Sequence, residues 1–84
     1  MTKEQKIPKW FNGQIYKKGG IVHNRFSNEE YKLNNIELSM YDYVMGATIM
    51  IEMGFHHDSL LKQHRKGLDW FRQYNPEAYM VLLD

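Results

Sequence analysis

From Asn34 to Gly54 the sequence encloses one apolar stretch between a helix start signal and a helix stop signal, and the rest of the chain must be arranged around it. Asn34 followed three residues later by Glu37 matches the logic of a capping box, and an acidic side chain also suits a helix N-terminus. Gly54 adopts a left-handed C-terminal cap more readily than any residue with a Cβ. The spacing therefore predicts a helix from Ile36 to Met53. Ile36, Met40, Tyr43, Ala47, Met50 and Gly54 fall on one stripe of it, while Leu38, Tyr41, Met45, Ile49 and Met53 nearly fill the opposite side. A helix that is apolar nearly all round is either the central element of a fold or is covered by another chain.

Length sharpens that choice. A chain of 84 residues forms one domain and buries only about 60–65% of its unfolded surface. The absence of cysteine excludes disulfides, zinc knuckles and a thiol nucleophile, so the core holds unaided or with a partner subunit. Self-association is the expected outcome, with Tyr41, Met45, Ile49 and Met53 as the interface. Gly46, in mid-helix, costs about 1 kcal/mol relative to alanine. Close approach of another backbone commonly offsets such a cost, either inside the fold or across a dimer seam. Asp42 interrupts the apolar helix and either reaches the rim, where it can bond a backbone or Tyr hydroxyl group, or makes a specificity contact in an interface.

The remaining segments suggest an α+β domain. Residues 1–9 are polar and Lys-rich and read as a frayed basic arm, leaving residues 10–84 as the globular unit. Gln14-Ile15-Tyr16 and Ile21-Val22-His23 flank Lys17-Lys18-Gly19-Gly20, where two glycines can supply the positive φ of a hairpin turn. Glu30-Tyr31-Lys32-Leu33 alternates and could add a third strand to a meander. Asp58 or Ser59 can cap an amphipathic second helix running to about Tyr74, and Asn75-Pro76-Glu77 starts a short third one. No membrane span is expected, because Leu38 to Met53 is short and carries Asp42 and Glu52. The opening residues carry charge with no apolar run behind them, so a secretory signal is not expected and a cytoplasmic setting is.

The side chains offer little chemistry. His56, His57, Asp58 and His64 are the only cluster of metal-ligand type, but adjacent histidines at a helix start diverge and His64 follows about two turns later, so a polar turn with one half-buried histidine is expected and no metal. Ser27, Ser39 and Ser59 lack a nucleophile-elbow setting, and Glu29-Glu30 lies in an exposed turn. Neither a catalytic site nor a cofactor is assigned. Charge is distributed unevenly: residues 1–33 hold seven Lys and Arg against three acids, whereas residues 34–84 hold four against seven. The alternative function is therefore a nucleic-acid-binding module in which Lys9, Lys17 and Lys18 contact phosphates and Trp10 stacks on unpaired bases.

Val22 to Leu33, Glu37 to Tyr43 and Gly67 to Tyr79, with its Trp70-Phe71 and Asn75-Pro76 pairs, resemble small uncharacterised proteins of tailed marine bacteriophages. The resemblance implies no activity. It implies an accessory protein of the bacterial cytoplasm whose partner, beyond a second copy of itself, is a host or virion protein.

Overall fold

The computed structural model describes residues 5–83. Strands β1 (Gly20–His23) and β2 (Glu30–Leu33) form an antiparallel pair with Gly20 opposite Leu33 and His23 opposite Glu30. Helix α1 follows over Asn35–Glu52, then α2 over Asp58–Tyr74, then a short α3 over Pro76–Ala78 that continues as a π turn through Tyr79–Leu83. The class is α+β.

Both ends of α1 obey their local signals. The Glu37 amide donates to Asn34 Oδ1 at 2.8 Å and the Asn34 amide donates to Glu37 Oε1 at 2.9 Å, which completes the capping box. At the other end Gly54 has φ +105°. Its amide donates to Ile51 O and that of Phe55 to Met50 O, the paired bonds of a Schellman motif. Helix α2 departs from expectation, since His57 is its N-cap with no side-chain bond and Asp58 is its first residue, where the carboxylate faces the positive end of the helix. Asn75 caps α3 as expected, its Oδ1 accepting from the Ala78 amide at 3.1 Å.

The hairpin differs from the sequence reading. Residues 14–16 form no strand, the sheet has two strands rather than three, and the turn is Asn24–Glu29 instead of Lys17–Gly20. Gly19 serves another purpose: a Cβ there would overlap Leu33 O and lie 2.8 Å from the Asn34 Cα, so only glycine lets the chain cross the β2–α1 junction. The true turn is built from asparagine. Asn24 Oδ1 accepts from the amides of Phe26 and Ser27, and Asn28 takes the left-handed conformation at φ 62°.

Leu33, Met40, Tyr43, Trp70, Phe71, Ala78 and Leu82 form the buried core. Helices α1 and α2 meet where Gly67 faces Val44, a contact so close that a Cβ on Gly67 would overlap the valine. The segment before the hairpin then wraps the other side of α1. Trp10 and Phe11 lie on Tyr43 with ring centroids at 5.8 and 4.8 Å, and the Tyr16 amide donates to Ser39 Oγ at 2.9 Å. The described part of the basic arm is tied to the body: the Trp70 indole donates to Lys6 O, and Gln5 bonds both Asn34 and Glu37. Residues 1–4 lie outside the described residues.

Candidate interaction surface

Glu37 sits at the hub of the covered end of α1. It is 6% exposed, and its carboxylate accepts from the Asn34 amide, from Gln5 Nε2 at 2.8 Å and from Asn75 Nδ2 at 2.6 Å. These donors satisfy the buried carboxylate, which has no cation beside it among the described residues. One side chain thereby joins the arm, the start of α1 and the α2–α3 junction. The capping signal in the sequence identified its local bond; the two distant ones arise from tertiary structure and had no local signature.

The far end of α1 is bare. Ile49 is 49% exposed, Met50 43% and Met53 70%, and Phe55 and Leu61 continue the apolar surface past Gly54 into α2. Of the four expected interface residues, Ile49 and Met53 lie on this face. Met45 is half-buried, and Tyr41 is half-buried with its hydroxyl 3.5 Å from His23 O. Burial raises the Tyr41 pKa, partly offset by the nearby Arg25 guanidinium. Asp42 is exposed and lies beside Tyr16, whose hydroxyl is held above its ordinary pKa by desolvation and by that carboxylate, so the acid reaches the rim rather than the core. Gly46 points outward: a Cβ there would meet nothing within 4 Å.

Beside this face a groove of about 160 Å³ runs between the hairpin turn, α1, α2 and the C-terminal π turn. Met45, Thr48, His64, Leu68, Leu82 and Leu83 line it, with the Arg25–Glu52 ion pair at 2.8 Å on its rim. Burial lowers the His64 pKa from the ordinary imidazole value of 6.5, favouring the neutral ring. Phe26, at the mouth, is 85% exposed. Sequence reading missed it, although a bulky aromatic inside a polar asparagine-rich turn was a signal in plain view.

The residues of the nucleic-acid alternative are separated by their surroundings. Lys9, Lys17 and Lys18 are exposed. Trp10 is engaged, packed against Tyr43 with the Lys66 ammonium 5.6 Å from its ring centroid. It borders a hollow of about 270 Å³ with Trp70 and Tyr74. His56, His57 and Asp58 are exposed, and among the described residues no three His, Asp or Glu side chains gather as a metal ion would require. No helix among the described residues is long and apolar enough to cross a membrane. No protein-family model, curated protein or solved structure matches the chain.

Proposed function

We propose that the protein is a non-catalytic interaction protein that self-associates through the exposed face of α1 carrying Gly46, Ile49, Met50 and Met53. The observation that carries this reading is Gly46. A glycine in a helix interior costs about 1 kcal/mol, and the close approach that justifies Gly67 has no counterpart at Gly46 among the described residues. Exposed Ile49, Met50 and Met53 follow it on the same face, with exposed Asp42 one turn before it. A second copy laid along this face supplies both the close backbone and the apolar cover, and symmetric pairing is the commonest form such cover takes.

Magnitudes set the extent of the seam. Full burial of one Ile or Met side chain contributes about 1.5–3 kcal/mol, while a micromolar dimer needs about 8 kcal/mol after the costs of association. Six partly exposed side chains, three from each copy, supply about 5–10 kcal/mol before the costs of association are met, so the interface extends toward Met45 and the groove or toward Phe55 and Leu61. If the partner is another protein, the phage resemblance points to a host or virion component. Nucleic-acid binding retains its cations, but Trp10, the ring assigned to stacking, is packed against Tyr43.

Sedimentation equilibrium from 1 to about 200 µM tests the reading, with dimers expected in the micromolar range. Ile49→Glu should abolish association while the circular dichroism spectrum stays native. A wild-type chain that is monomeric throughout would overturn the proposal.

A further inference from the structure

We propose that the trough between α2 and residues 6–12 binds single-stranded nucleic acid, with phosphates on Lys6, Lys9, Lys62 and Lys66 and a base in the hollow beside Trp10. It uses a surface other than the Gly46 face and does not depend on self-association. The first observation is how the fold sorts charge. The Trp70 indole donates to Lys6 O at 3.3 Å and the Lys66 ammonium lies 5.6 Å from the Trp10 ring centroid, so the segment carrying Lys6 and Lys9 is laid along α2. The exposed stripe of α2 adds Lys62, Arg65, Lys66 and Arg72 against Asp58 and Asp69. This surface therefore holds six cations and two acids, whereas the other described residues hold four cations and six acids. A chain of almost no net charge presents one positive side, and such a field attracts a polyanion. Dividing the sequence into a basic and an acidic half conceals it, because Lys62, Arg65, Lys66 and Arg72 are the four cations of the acidic half.

The second observation is that this positive side alternates with places for flat rings. Hollows of about 270 and 290 Å³ follow one another along α2, and Lys66 lines both. Pro8, Trp10, Trp70 and Tyr74 wall the first; Trp10 rests on Tyr43 by one side yet still contributes to this wall. A cavity of about 150 Å³ accommodates one benzene ring, so the hollow has room for a base, and aromatic walls take any base because every base has a π face. Lys66 then stands where the phosphate between two hollows passes. From Ser59, in the second hollow, to Tyr74, in the first, α2 rises about 22 Å, a length suited to the smallest sites of such grooves, about four nucleotides. Asp69 on the rim decides between polyanions. It repels the carboxylates of an acidic peptide, but it can accept from the exocyclic amino group of cytosine, since Arg72 takes only its Oδ1, at 3.1 Å. An intact duplex keeps its bases stacked and out of the hollow.

The test is titration of the full chain with a single strand of about ten deoxycytidines, followed by intrinsic fluorescence. Trp10 and Trp70 are the two tryptophans of the chain and both line the hollow, so entry of a base is read directly as quenching. Four phosphate contacts on a single strand give a slope of about −2.8 in log affinity against log salt, so affinity should fall about 50-fold between about 50 and 200 mM salt. Lys62→Glu combined with Lys66→Glu, both at exposed positions, should weaken binding about 30-fold or more at the lower salt while the circular dichroism spectrum stays native. Lys17→Glu combined with Lys18→Glu, off this surface, should weaken it less than about fivefold. The Ile49→Glu chain should bind as the wild type does, which keeps a failure of self-association separate from a failure here. Absence of quenching at the lower salt would overturn the proposal, and so would equal losses in the two lysine pairs. Binding of the duplex as tight as that of the single strand would also overturn it, and equally tight binding of polyglutamate would assign the surface to an acidic protein instead.

Discussion

The two halves of α1 meet opposite fates, and the more apolar of them is the barer. From Asn35 to Val44 the helix is closed in: Glu37, Ser39, Met40, Tyr43 and Val44 are buried, with segment 5–16 wrapped over one side and α2 packed against another. From Met45 to Met53 only Ala47 is buried, and the side chains at 49, 50 and 53 are exposed. Hydropathy alone would bury the wrong half, since 45–53 has only Thr48 and Glu52 as polar side chains where 35–44 has Asn35, Glu37, Ser39 and Asp42. What distinguishes them is whether the chain has covering material within reach, and the described residues before β1 are spent on the N-terminal half. The two helical glycines repeat the contrast, since Gly67 is explained by Val44 and Gly46 by nothing among the described residues.

The largest expected effect lies at the closed end. Glu37→Ala removes the return half of the capping box and leaves the Gln5 and Asn75 amide groups without their acceptor, at a cost of about 2–4 kcal/mol in a denaturant titration. A loss no larger than that of an exposed substitution, about 0.5 kcal/mol, would mean that the arm and the α2–α3 junction are not held through this carboxylate.

The smaller effect lies beside the bare half. Burial in the groove wall lowers the His64 pKa. Its folded pKa is depressed, so as pH drops below the unfolded value near 6.5 the unfolded chain binds the proton more readily and stability is lost; above that value the stabilisation is fully present. Thermal unfolding should therefore show a lower midpoint at pH 5.5 than at pH 7.5, and His64→Gln should reduce that difference. An unaltered pH dependence in the variant would show that the imidazole is solvated in solution.

Local signals were legible and distant ones were not. Asn34, Glu37 and Gly54 bounded α1 correctly because caps act within one turn, and Asn75-Pro76 announced α3 for the same reason. The Gly19-Gly20 pair misled because glycine has two uses, and here the second, close backbone approach across a distance in sequence, decided the outcome. The arm appeared frayed from its polarity, yet Gln5 and the Lys6 carbonyl bond to partners as distant as residue 70, which no local pattern encodes. For the surface, only Ile49 and Met53 of the stripe Tyr41, Met45, Ile49, Met53 are exposed, because the hairpin lies over its first members through contacts that no local pattern encodes.

The central claim is that the bare half of α1 is reserved for a second chain, and Gly46 is where that claim is most exposed to test. Gly46→Ala adds a methyl group that meets nothing in the monomer, so it should stabilise the isolated fold by about 0.5–1 kcal/mol. Across a close helix seam the same methyl group must push two backbones apart. The dimer dissociation constant of Gly46→Ala, read by sedimentation equilibrium, should rise about tenfold or more although the monomer is more stable. A dissociation constant that is unchanged or lower would contradict the account and leave Gly46 on a face that no second backbone approaches.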